Sequence, residues 1–427
     1  MCELNEYSQQ RSLWRVAFVS ALTVLPSLVA VVTLDAIPLQ DLSAGWDRNI
    51  TFWARVFIGT FILSFGTTLQ LRTMVPAARM SSKQCAIASV FAASSFQITA
   101  ILIAKFWVFP VPFVIVLGNL PWSLSMLSAI VYFIGRDRLR TDPEVTTQIK
   151  RYYNLVNSAG TFLVVFPVYS YIFQCLEGIH QSAFIIALPV MKFVLKKVLR
   201  MVLAEVEELV PVNVITVDLF SALFQAKCIQ NSSSHWTTAG IIAVDAVQNI
   251  YSMRKLLHCL SDVRDLMPVS TGSADLLAHC VGLLEAPEKL NLRGLPTLEL
   301  LWRCESVLLV EYVEAIVPLV SSASMAILYF LPNVQYYPGM ADMSPEKLQA
   351  TVAGILIYSA LEFLSLVYLH VAFKWKLGLL ALHQLGFVLE KNWMVIQGLL
   401  LTWMIVALSF TLVHYGNDFS FKFEWIH

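Results

Sequence analysis

The sequence predicts an all-α fold: a polytopic helical membrane bundle of about nine to eleven transmembrane helices, with a small cytoplasmic helical insertion. Three observations carry this. The chain of 427 residues is 57% hydrophobic and only 14% charged, whereas soluble domains are about 45–50% apolar and about 25% charged. Its apolar residues fall in blocks of about 20, the length that crosses a hydrocarbon core of about 30 Å at roughly 1.5 Å per residue. The short alternating segments of a membrane β-barrel are missing.

The elements follow in order. Span 14–34 is long for a signal-peptide core and follows acidic Glu3 and Glu6, so it reads as a retained first span. Spans 53–71, 85–104, 111–134 and 155–175 are near-continuous apolar runs. A basic loop, "GRDRLRTDPEVTTQIKRYY", joins two of them at 135–153. The segment 182–203, "SAFIIALPVMKFVLKKVLRMVL", begins apolar and then carries Lys192, Lys196, Lys197 and Arg200. No acid stands three or four residues from these bases, so helical ion pairs do not account for them. They read as a cluster at an anionic membrane surface. Residues 1–203 thus form an N-terminal membrane bundle.

Residues 204–252 hold two further spans or amphipathic helices, 210–228 and 236–252, with one aspartate each, Asp218 and Asp245. Residues 253–304 form the only sizeable polar stretch, a cytoplasmic insertion of two short amphipathic helices separated by Pro268 and Gly272. A C-terminal bundle over 305–427 supplies spans near 306–331, 351–373 and 393–414.

Lysine and arginine set the orientation. With a cytoplasmic N-terminus and eleven spans, inner segments hold 22 of these residues and outer segments four. The sequons Asn49-Ile-Thr and Asn231-Ser-Ser then both fall outside. In a nine-span arrangement 204–305 is wholly internal, and Asn231 is cytoplasmic. The address is an integral membrane one, plasma membrane or endomembrane.

The chemistry sits inside the spans. "ESVLLVEYVEAIVPLVSSASM" begins at Glu305 and carries Glu311 and Glu314 three apart on one helical face. They lie about 8 Å and about 12 Å into their span. A charge at the bilayer centre costs roughly 2.5–3.5 kcal/mol on insertion scales, so such groups face a bundle interior or a wet cavity. The pair must hold a proton or sit beside a cation. Pro318 lacks an N–H and frees the carbonyl of Glu314, adding an oxygen to the same place. The next span adds Glu362 and His370 on roughly one stripe. Glu311, Glu314, Glu362, His370, Asp218 and Asp245 are the candidate ion- or proton-coupling residues. Packing is the competing reading for each acid.

Other functions find little support. Net charge is zero, which leaves no basic footprint for nucleic acid. The seven cysteines are scattered, without a CxxC pair or a metal motif. The sequence carries no P-loop, GxSxG elbow, HExxH or dinucleotide fingerprint, so neither an enzyme nor a cofactor is expected.

The motifs "ALPVMKFVLKK", "VDLFSALFQAKCIQNSSS", "LLVEYVEAIVPL", "YYPGMADMSPEKLQATV", "YSALEFLSLVYLH", "HQLGFVLE" and "FTLVHYGNDF" occur in that order. Over roughly residues 150–420 this string resembles a set of uncharacterised multi-pass membrane proteins from oomycete genomes. The resemblance implies a membrane address and no activity.

The expected function is a transporter or channel-like protein with an intramembrane acidic coupling site and a small ion or solute as its partner, besides the lipid bilayer. The alternatives are a membrane receptor or sensor, whose insertion binds a cytoplasmic protein, and a structural membrane protein. An oxygen-lined cavity reaching Glu314 favours transport. A closed bundle with a wide outer pocket favours sensing.

Overall fold

A computed structural model describes residues 4, 6–7, 10–202, 210–232, 235–266, 294–377 and 379–418. Those residues form helices and connecting turns, with no strand among them. The helices are α1 (Leu13–Leu22), α2 (Leu25–Ala36), α3 (Ile50–Met74), α4 (Ser82–Phe106), α5 (Val114–Ile134), α6 (Arg136–Thr141), α7 (Pro143–Gly160) and α8 (Phe162–Cys175). There follow α9 (Gly178–Phe184), α10 (Ala187–Val202), α11 (Val210–Gln230), α12 (His235–Leu266), α13 (Gly294–Leu328), α14 (Pro345–Leu377), α15 (Ala381–Lys391) and α16 (Trp393–Ser409).

Among the described residues, seven helical stretches are long and apolar enough to cross a membrane: Leu13–Ala36, Ile50–Met74, Ser82–Phe106, Val114–Ile134, Pro143–Cys175, Arg303–Leu328 and Pro345–Trp375. Trp393–Ala407 is a shorter apolar helix. The chain is a multi-pass integral membrane protein. Its outer surface agrees: Phe18, Phe91, Ile98, Phe363 and Leu364 are exposed in mid-helix, an apolar display that water would not tolerate over a whole bundle.

Local sequence sets several boundaries. Ser81 caps α4 in a reciprocal box with Gln84, which satisfies two otherwise orphaned backbone donors. Asp142 caps α7 through the amides of Glu144 and Val145, with Pro143 in the first turn. The stretch 135–153, expected as a loop, is therefore helical on both sides of Asp142. The expected span 182–203 is broken at Ile185–Ile186 into α9 and α10. The insertion 253–304 is not set apart at its ends, since α12 continues to Leu266 and α13 begins at Gly294. Its middle, including Pro268 and Gly272, lies outside the described residues.

The two expected bundles interleave. α16 packs on α3 and α2, α15 on α1, and α13 on α2. Glycine makes the α3–α16 crossing close. A Cβ at Gly398 would stand 3.1 Å from the Gly66 carbonyl oxygen, the kind of backbone approach small residues permit between membrane helices.

Connections gather on two faces. On the N-terminal face Arg15 pairs with Glu390 at 2.9 Å, and His383 Nε2 donates to the Arg11 carbonyl at 2.9 Å. On the opposite face Leu39 N donates to Asn333 Oδ1 at 2.9 Å, and His414 Nε2 to the Gln40 carbonyl at 2.9 Å. There too Phe113 N donates to the Gly416 carbonyl at 3.0 Å. Gly416 has φ +61°, and a Cβ there would fall 2.2 Å from the Val111 carbonyl oxygen, so the position accepts only glycine. Gln230 Nε2 reaches the Gly339 carbonyl at 3.3 Å. That bond puts the turn after α11 on the same face as the loop between α13 and α14.

Candidate functional site

Five helices deliver charged side chains to one buried place. On α13, Glu311 and Glu314 are 3% and 1% exposed. Helix α11 supplies Asp218 and α12 supplies Asp245, both buried, and α14 supplies buried Glu362. Helix α10 contributes Lys192 and Lys196, four residues apart and hence on one face. The packing makes this meeting possible: α13 lies on α14 and α11, α12 touches α13 and α14, and α10 packs on α11.

Lys192 Nζ donates to Glu314 Oε1 and lies 3.0 Å from Asp218 Oδ1. Lys196 Nζ stands 2.6 Å from the same Asp218 oxygen. On the other side of Glu314, oxygens of Asp245, Glu314 and Glu362 all lie within 4.8 Å of one another. Tyr358 donates to Asp245 Oδ2 at 2.9 Å, and Asn249 Nδ2 to Glu362 Oε2 at 2.7 Å. Glu311 sits beside Ser365, while its Oε2 and that of Glu314 are buried without a hydrogen-bond partner. A small cavity of about 10 Å³ touches Lys192 and Asp245.

Pro318 interrupts the bonding of α13 without ending the helix, which runs on to Leu328. Ser359 Oγ donates to the Ala315 carbonyl at 2.6 Å. The weakened turn below the proline is thus tied to α14 beside the cluster.

Charge arithmetic defines what the site can do. Five carboxylates face two ammonium groups. Ionised groups in a low-dielectric interior persist only when paired. Such a cluster can take up protons or a cation to balance its excess of acid. The clustered Asp245, Glu314 and Glu362 carboxylates offer the hard oxygen donors that cations such as Ca²⁺ take.

Two expectations change. Lys192 and Lys196 are not at the membrane surface; they turn inward, because Asp218 and Glu314 on neighbouring helices offer the counter-charge their own helix lacks. Lys197 is exposed, and the Arg200 side chain lies outside the described residues. His370 does not join the acids. It lies about 12 Å along α14 from Glu362, and its Nδ1 accepts from Leu382 N at 3.3 Å. Sequence reasoning also missed Tyr358 and Asn249, although each is four residues from an acid on its own helix.

A second polar centre lies toward the opposite face. Asp35 Oδ1 accepts from Arg55 Nη2 and from the Tyr337 hydroxyl at 2.7 Å, and Arg55 Nη2 also donates to that hydroxyl at 2.7 Å. Asn333 ties the Asp35 and Ile37 carbonyls, both at 2.6 Å. Next to this group opens a cavity of about 360 Å³, lined in part by Asp35, Lys227, Ser321, Ser324 and Tyr337. Glu314 is not among its lining residues.

In comparison with known proteins, the chain matches no family model, no curated protein and no solved structure.

Proposed function

We propose that this chain is an ion-coupled membrane transporter whose coupling centre is the carboxylate cluster of Asp218, Asp245, Glu311, Glu314 and Glu362. One observation carries the reading: five buried acids share two lysines, Lys192 and Lys196. A packing role needs polar groups that balance one another. An excess of acid in mid-bundle needs an exchangeable proton or cation, the property that coupling requires. Lys192 bridges Asp218 and Glu314, so filling the Asp245–Glu314–Glu362 side competes with the lysine for Glu314. That competition is a two-state element in which ion occupancy biases helix packing.

Proteoliposomes holding a pH indicator test this under imposed gradients of Na⁺, K⁺ or Ca²⁺. The expected result is proton movement above that of empty liposomes, lost in Glu314→Gln and Glu362→Gln. No movement under any gradient, or full movement in both variants, overturns the proposal.

The separation of the wide cavity from Glu314 favours a second reading, a receptor or sensor that binds its ligand on that face. Specific ligand binding with no flux of ligand or ion would select it.

A further inference from the structure

We infer that the 360 Å³ cavity between α8, α11, α13 and the 332–344 loop is a binding site for a small organic carboxylate with an apolar body, held by Lys227. The volume is at the lower end of the ~300–1,000 Å³ of small-molecule sites.

The cation is the first observation. Lys227 lies at the end of α11 and lines the cavity. Its Nζ donates to Gln230 Oε1 at 3.1 Å, one of the three bonds an ammonium makes. Among the described residues it forms no ion pair. Two acids line the same cavity, Asp35 and Asp418. Asp35 is already matched by Arg55 and the Tyr337 hydroxyl, and Asp418 makes no ion pair with Lys227 among the described residues. Lys227 therefore carries a charge into the cavity that an anion would balance.

A second observation points to a ligand independently. Ser324 is 5% exposed, lines the cavity, and its Oγ has no hydrogen-bond partner. Buried hydroxyls are nearly always bonded, and with Ser324 turned about χ1 toward the cavity a carboxylate oxygen would satisfy this one. The remaining wall decides the class of anion. Leu223, Phe224, Met325, Leu328 and Phe410 form an apolar part of it, beside polar Ser170, Gln174, Gln230, Asn231 and Asn417. A ligand with both a charged head and an apolar body uses both parts, which an inorganic anion would not.

The site is distinct from the carboxylate cluster. That the bound carboxylate is also the transported solute rests on the transporter reading; binding itself does not. A carboxylate carried with a proton taken up at the cluster would cross without net charge.

Isothermal titration of the purified full chain in detergent with hexanoate, phenylacetate and hexanamide tests the inference. At least one acid should bind, and hexanamide at least about tenfold more weakly than hexanoate, since charge-assisted hydrogen bonds are roughly twice as strong as neutral ones. Lys227→Gln should erase the preference for acid over amide, Lys227→Arg should keep it, and Ser324→Ala should weaken both acids. Glu314→Gln should bind as wild type does, which separates this site from the coupling centre. No acid binding by wild type, or equal binding of acid and amide, overturns the inference even where the variants do not fold.

Discussion

Lys192 on α10 bonds Glu314 on α13, although 122 residues separate them in the chain. It is the only base among the described residues that touches both Asp218 and Glu314. Removing one partner of a buried pair strands the other, at about 3–5 kcal/mol. Lys192→Met is expected to lose about that much stability, and Lys192→Met/Glu314→Leu to recover most of it. Unfolding in mixed micelles as a double-mutant cycle measures the coupling. Simple additivity would mean that the pair is not made.

The Asp35–Arg55–Tyr337 group gives a second prediction. Tyr337→Phe removes a hydroxyl that bonds both charged partners, and hydrogen bonds to charged groups contribute roughly 1.5–3 kcal/mol. Asp35→Ala should cost more, about 3–5 kcal/mol, because Arg55 is then buried without its counter-ion. Thermal unfolding of both variants should rank them in that order.

The helical membrane fold was readable because bilayer thickness imposes a length on every apolar run, and α3, α4 and α5 follow it directly. Where length and polarity conflicted, the reading was weaker. The stretch 182–203 has a span's length, and its one mark of the Ile185–Ile186 break is Pro189, which has no N–H to give the Ile185 carbonyl and sits in the first turn of α10. The acids were legible at Glu311, Glu314, Glu362, Asp218 and Asp245, since each is anomalous against its neighbours. Their partners were not. Lys192 and Lys196 have the spacing of an interfacial cluster, and only the α10–α11 contact turns them inward. Arg55, at the edge of an apolar run, is the same case: its acid, Asp35, lies on another helix.

The α3–α16 crossing supplies a third prediction. Gly66 and Gly398 meet backbone to backbone, so Gly398→Ala forces the helices apart by a few tenths of an ångström and Gly398→Leu by far more. Overpacking of this kind costs about 1–3 kcal/mol. Folded yield should fall in the order wild type, alanine, leucine. Gly135→Ala, where a Cβ meets nothing within 4 Å but φ is +89°, provides the contrast: any loss there is backbone strain rather than helix separation.

Glu390 sets a pH dependence on the N-terminal face. The hydrogen bond from Arg15 holds its carboxyl below the usual range. A carboxylate depressed in the folded state contributes stability above its unfolded pKa and loses it as pH falls through the folded one. Wild type should therefore melt slightly above Glu390→Gln at neutral pH, and the gap should close as the solution is acidified below the ordinary glutamate range. The effect is small because Arg15 is half exposed and solvent screens the pair. A gap that widens in acid would show that the pair is not formed.

The last prediction concerns the path of the chain. Gln230 bonds the Gly339 carbonyl, and Asn231 lines one cavity with Tyr337 and Asn417, so the turn after α11 shares a face with the loop before α14. Glu390 and Arg15 meet on the other face. If 204–305 stayed on one side of the membrane, Asn231 would instead be level with Glu390. Single cysteines at Asn231, Lys347 and Lys391, in a chain whose seven native cysteines are replaced by serine, distinguish the two paths. With an impermeant maleimide on sealed vesicles of one orientation, Asn231→Cys and Lys347→Cys should label together, and Lys391→Cys only after the membrane is opened or inverted. From the lysine and arginine asymmetry, the first pair is expected on the non-cytoplasmic side. Labelling of Asn231→Cys together with Lys391→Cys would mean that α11 does not cross, and would remove Asp218 from any pathway through the bundle.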